Sequence, residues 1–81
     1  MSDTEIFNQV VEILTPYVRN EEALKSISNE TNIVTDLQVN SSRLVDIILA
    51  MEDTFDIEIA DEEADTVETV GKAVDLIKAK K

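Results

Sequence analysis

The sequence predicts an all-α fold: a small helical bundle of three main helices plus one short helix, with a long loop between the first and second. Two observations carry this expectation. A single Gly and a single Pro in 81 residues leave little room for hairpins. Apolar residues recur mostly at the i, i+3, i+4, i+7 spacing of one helix face. At this length, residues 1–81 are expected to form one domain.

The first helix is expected from about Thr4 to Leu14. Ser2 and Glu5 stand three apart as a capping pair, and Ile6, Phe7, Val10, Val11, Ile13 and Leu14 make one apolar face. Pro16 lacks a backbone donor and should end this helix near Thr15. Between Arg19 and Gln38, the residues Ser26, Ser28, Asn29, Thr31, Asn32 and Thr35 favour turns over a long helix. This stretch reads as a long loop pinned by Leu24, Ile27, Ile33, Val34 and Leu37. Loops of such length are often functional, and a plain crossover between two helices explains it equally well.

The clearest helix spans about Ser41 to Phe55, roughly 22 Å at about 1.5 Å per residue. Leu44, Ile47, Ile48, Met51 and Phe55 form its main stripe, and Val45 and Leu49 widen it beyond what a surface helix needs. A one-turn helix near Asp61–Ala64 follows, with Asp61 as its expected cap and Glu62 and Glu63 in its first turn. The last helix is expected from Val70 to Ala79 with Thr69 as N-cap. Val70, Ala73, Val74 and Ile77 should face inward, and Lys78, Lys80 and Lys81 suit its C-terminal dipole.

Composition narrows the function. There is no Cys, so no disulfide or thiolate metal site, and no His, so the usual neutral-pH general base is missing. The net charge of −11 opposes binding to a nucleic-acid backbone or an anionic membrane. Nothing approaches about 18 consecutive apolar residues, and the start, Met1-Ser2-Asp3-Thr4-Glu5, lacks a signal-like apolar run. The chain is therefore expected to be a cytoplasmic, acidic, monomeric protein that is not an enzyme, with no nucleic-acid partner and no membrane insertion.

The acidity is uneven. No Lys or Arg occurs between Leu44 and Gly71, while Asp46, Glu52, Asp53, Asp56, Glu58, Asp61, Glu62, Glu63, Asp65 and Glu68 all do. Such a face is either merely solvated or a steering field for a basic partner. A calcium-binding EF-hand loop fails on spacing, because counting from Asp53 the third and fifth positions are Phe55 and Ile57, and the stretch has no Gly before Gly71. Carboxylate pairs for acid–base work would need a shared apolar pocket, whereas each acid falls on a predicted polar face.

The sharpest signal is Asp36-Leu37-Gln38-Val39-Asn40-Ser41-Ser42-Arg43-Leu44-Val45-Asp46. Asn40 can cap the second helix, which puts Ser41 in the first turn, where free N–H groups favour an anion. By itself, Asn-Ser-Ser before a helix is an ordinary capping sequence. The stretch resembles the attachment motif of the acyl carrier protein family, Asp-Leu-Gly-x-Asp-Ser-Leu. A second block, Phe55-Asp56-Ile57-Glu58-Ile59-Ala60-Asp61-Glu62-Glu63-Ala64, is similar to that family's Phe-x-x-Glu-Ile-x-Asp-Glu-x-Ala. The likeness runs from about Thr4 to Ile77.

The resemblance implies that Ser41 bears 4′-phosphopantetheine and that acyl groups ride as thioesters on its thiol, in fatty acid or specialised lipid synthesis. It implies a phosphopantetheinyl transferase as partner, together with acyl synthases and acyltransferases that dock through basic patches on Asp46, Glu52, Asp53 and Asp56. The acyl chain is expected between the helices, against Leu44, Ile48, Met51, Ile59 and Val67. Burying eight methylenes fully is worth up to roughly 5–6 kcal/mol, less whatever opening the bundle takes. Asn40, Ser42 and Arg43 depart from the family's usual Asp, Leu and acid, and Gln38 and Ala60 from its common Gly and Pro. The start of the recognition helix is thus less negative and less apolar, which implies a specialised carrier with its own partners. An aminoacyl or peptidyl carrier would usually show Gly-Gly or His before the serine, where Val39-Asn40 stand. An unmodified acidic adaptor for a basic protein is the remaining alternative.

Overall fold

The structure is a computed structural model and describes residues 2–80. Met1 and Lys81, both used in the sequence reading, lie outside the described residues. Helix α1 (Asp3–Leu14) begins where Ser2 Oγ accepts the Glu5 N–H at 3.2 Å. The capping pair is only half formed, because the Glu5 carboxylate meets the Ser2 hydroxyl at 3.3 Å. Ile6, Val10 and Leu14 are buried along one face. Before Pro16 the α-helix stops, and Thr15–Tyr17 tighten into a 3₁₀ turn.

The expected loop is not wholly loop. Helix α2 (Glu21–Lys25) occupies part of it, and the sequence reading missed it. Five residues with only Ala23 and Leu24 half-buried carry too little periodicity to register. The rest is pinned as expected by Ile33 and Leu37, while Val34 stays exposed at 37%. Asn32 organises this segment: its Oδ1 accepts from the N–H groups of Val34 and Thr35, both at 2.9 Å, and its own N–H donates to Asp36 Oδ2 at 2.9 Å. The loop is then stitched to the entrance of the last helix. Ile33 N–H donates to Glu68 O at 2.9 Å, Val70 N–H to Thr31 O at 3.0 Å, and Gly71 N–H to Asn29 O at 2.8 Å. Gly71 is needed there, because a Cβ would fall 2.8 Å from that same carbonyl oxygen.

Helix α3 (Leu44–Phe55) is preceded by a 3₁₀ turn, Ser41–Arg43, so Ser41 sits in a tighter turn than the sequence implied. Its stripe of Ile47, Ile48, Met51 and Phe55 is buried and Leu44 half-buried. The short helix α4 (Asp61–Ala64) has Ala60, not Asp61, at its N-cap; the Glu63 carboxylate reaches back to accept the Ala60 N–H at 3.0 Å. Helix α5 (Val70–Lys80) is capped by Thr69 Oγ1, which accepts from Lys72 N–H at 3.2 Å. It buries Val70, Ala73, Val74 and Ile77 against α1. Lys78 and Lys80 do more than face the helix dipole, since they pair with Asp3 at 3.0 Å and Glu63 at 2.7 Å. Among the described residues, no helix is long and apolar enough to cross a membrane.

Candidate functional site

The site is built where the loop enters α3. Leu37 and Val39 are buried and alternate with exposed Gln38 and Asn40. Leu37 O accepts from both Arg19 and Asn20 N–H groups at 3.2 Å, and Asn20 Nδ2 donates to Asp36 O at 3.1 Å. The approach to the site is thereby tied to the end of the first helical region. Gln38 takes φ of 56°, the left-handed region.

Two serines stand side by side at the turn, and their hydroxyls are not equivalent. Asn40 Oδ1 accepts both the Ser42 N–H at 3.0 Å and the Ser42 hydroxyl at 2.9 Å. Ser42 is thus engaged in capping. Ser41 is exposed, and among the described residues its hydroxyl has no hydrogen-bond partner. It opens onto a groove of about 450 Å³ between α3, α4 and the 32–35 loop.

Four of the five apolar residues read from sequence as an acyl cavity, Leu44, Ile48, Ile59 and Val67, line this groove. Met51 does not. It is 1% exposed and packs in the core one turn past Ile48. The sequence reading missed Val34, Val45 and Leu49, which form the groove's apolar lip at 37%, 66% and 57% exposure. Val45 and Leu49 carry a signal, being surplus to the helix stripe, whereas the sequence places Val34 among the residues that pin the loop.

The acids named as recognition residues have different surroundings. Asp46 lies 3.4 Å from the Arg43 guanidinium, with side chains 47% and 62% exposed, so the pair is worth about 0–1 kcal/mol. Glu52 is half-buried, and its Oε2 accepts the Ile59 N–H at 2.9 Å, clasping the α3–α4 connection beside the groove. Asp53 is fully on the outside. Asp56 closes α3 in the left-handed region, at φ 55° and ψ 52°. Near α4, the Lys80 ammonium and then the Ala60 N–H hold the Glu63 carboxyl below the usual carboxylate range.

An exposed serine at the mouth of an apolar groove on a helical scaffold is an arrangement that suits a carrier of a covalently tethered group. The residues fit phosphopantetheine: the open hydroxyl suits the phosphodiester, and the apolar groove beside it suits the cargo. Residues 17–77 match the family described as the phosphopantetheine attachment site. The chain is 44% identical over 80 residues to an acyl carrier protein of Lactobacillus acidophilus, covering 98% of this chain and 96% of that one. It is 38% identical over 81 residues to an acyl carrier protein of Prochlorococcus marinus, covering 100% and 99%. A solved structure of acyl carrier protein from Enterococcus faecalis superposes with a TM-score of 0.82 at 33% identity, with both chains covered completely. This chain belongs to the acyl carrier protein family. It is a carrier and not a catalyst, and its cofactor is 4′-phosphopantetheine, whose thiol holds the acyl group as a thioester. Nothing in these likenesses favours a peptidyl carrier or an unmodified adaptor.

Proposed function

We propose that the prosthetic group is attached at Ser41 and that the groove beside it shelters the acyl chain along Leu44, Ile48, Ile59 and Val67. The observation that carries this reading is the contrast between the two serines: the Ser42 hydroxyl donates to Asn40 Oδ1, while Ser41 is exposed and its hydroxyl has no partner among the described residues. In the loading step, Ser41 Oγ bonds to the pantetheine-side phosphorus of the coenzyme A diphosphate, and the bond from that phosphorus to the bridging oxygen of the adenosine-side phosphate breaks. Adenosine 3′,5′-bisphosphate leaves, and the hydroxyl proton passes to a base of the transferase, the chain itself having no His beside Ser41.

The carrier works as a monomer in the cytoplasm, serving fatty acid or a specialised lipid synthesis, and meets its synthases and acyltransferases through their basic patches. Arg43 partly neutralises Asp46 at the start of α3, so Asp53 and the acids after it carry most of the docking field. Asn40, Ser42 and Arg43 together select partners that tolerate a less negative, more polar entrance.

Incubation with coenzyme A and a broad-specificity phosphopantetheinyl transferase, followed by intact mass, tests the attachment. Wild type and Ser42→Ala should each gain one phosphopantetheine and Ser41→Ala none. Addition to Ser41→Ala would overturn the assignment.

A further inference from the structure

We infer that Arg19 and Arg43 form a cationic notch that holds the phosphate of the prosthetic group, just outside the apolar groove. Both arginines of the chain line one polar recess of about 260 Å³, together with Tyr17, Asn40 and Ser42. Asn40 and Ser42 flank Ser41, whose own side chain opens onto the groove. The serine therefore stands on the boundary between a cationic and an apolar recess. Bringing Arg19 there takes built structure: the Arg19 and Asn20 N–H groups both bond Leu37 O at 3.2 Å, fastening that segment to the approach to the site.

Both guanidinium groups keep N–H donors open to a ligand. Among the described residues Arg19 forms no ion pair, and Arg43 has one contact, to Asp46 at 3.4 Å. A guanidinium offers five N–H donors in a planar fork that matches phosphate oxygens. In a chain of net charge −11, two cations gathered beside the attachment point call for an anion. A phosphodiester tethered to Ser41, next in the chain to Asn40 and Ser42 of the recess, is presented to it at an effective concentration on the order of mM. With its phosphate held in the notch, the arm leaves from the phosphate and passes over Ser41 to reach the groove.

The inference rests on Ser41 as the attachment residue, and the test separates the two. Chain loaded with phosphopantetheine, confirmed by mass and by refusal of Ser41→Ala to load, is compared with unloaded chain in phosphate-free buffer. The arginine side-chain Nε–Hε resonances are recorded by ¹⁵N NMR. Both should shift on loading, and the ³¹P resonance of the arm should move in Arg19→Gln and in Arg43→Gln. Both side chains are exposed, and unchanged backbone amide spectra away from 17–20 and 40–43 would verify the fold. Arginine resonances that ignore loading overturn the notch and leave it to carboxylates of partner proteins. Equal shifts in unloaded chain with equimolar inorganic phosphate reassign it to free anions and also overturn it. Loading at a residue other than Ser41 overturns both readings, and the mass data identify that case.

Discussion

Gln38 shows how a single residue bears on the site. It adopts φ of 56°, a left-handed conformation that disfavours any residue with a Cβ. It occupies the position where the family resemblance places a glycine. The strain is roughly 1–2 kcal/mol, offset by the roughly 0.5–1 kcal/mol of extra chain entropy that a glycine would lose on folding. Gln38→Gly should therefore raise the unfolding free energy by about 0.5 kcal/mol, measured by urea titration with an unchanged m-value. A loss instead would show that the glutamine side chain contributes a compensating contact. Neighbouring side chains were easier to read. Asn40 and Thr69 are legible as caps from residue type alone, because a short oxygen-bearing side chain before an apolar run has few other roles. Asp61 misled by the same rule, since Glu63 reaches back to the Ala60 N–H and leaves the N-cap position itself without a side-chain oxygen.

At the level of elements, α3 carries acids that look alike in sequence and differ in their surroundings. Glu52 and Asp53 are adjacent, yet Glu52 satisfies the Ile59 N–H while Asp53 faces out. Removing an acceptor from a part-buried N–H costs about 1–3 kcal/mol. Glu52→Ala should lose about 1–2 kcal/mol of stability, whereas Asp53→Ala should change it by less than about 0.5 kcal/mol. Asp53→Ala should instead weaken association with basic partner enzymes, as read by the KM of a carrier-dependent synthase. Equal stability losses in the two variants would refute the division. Long periodic elements were legible to within a few residues, as the ends of α1 at Leu14 and α3 at Phe55 show. Short ones depend on tertiary contacts: α2 has no buried residue, and nothing local distinguishes it from the surrounding turns. The groove was partly legible for the same reason. Leu44 and Ile48 share a face of α3, but only the folded loop decides that Val34 borders the groove and that Met51 turns into the core.

The whole molecule carries −11 charges on a body with a radius of gyration of 11.4 Å. Ten acids from Asp46 to Glu68 have no basic residue among them in sequence. Lys80 from the far end of α5 supplies one counter-charge, bonding Glu63 at 2.7 Å with side chains 30% and 34% exposed. Because Glu63 is held below its ordinary value, its contribution is present above the unfolded carboxylate range and is lost as pH falls through its lowered folded value. Salt weakens such pairs, but it also weakens the repulsion. Two like charges about 10 Å apart in water repel by about 0.4 kcal/mol before screening, and the ten acids share a body with a radius of gyration of 11.4 Å. The other three ion pairs are 44–71% exposed and are worth about 0–1 kcal/mol each. Repulsion should therefore win at neutral pH. Raising NaCl from about 0.05 to 0.5 M shortens the screening length to a few ångströms and should stabilise the fold by about 1 kcal/mol. Thermal unfolding followed by circular dichroism would then move up by about 4–8 °C. A flat or falling transition would mean that the Lys80–Glu63 and Lys78–Asp3 pairs outweigh the acidic face, and that this face is held at less electrostatic cost than its charge implies.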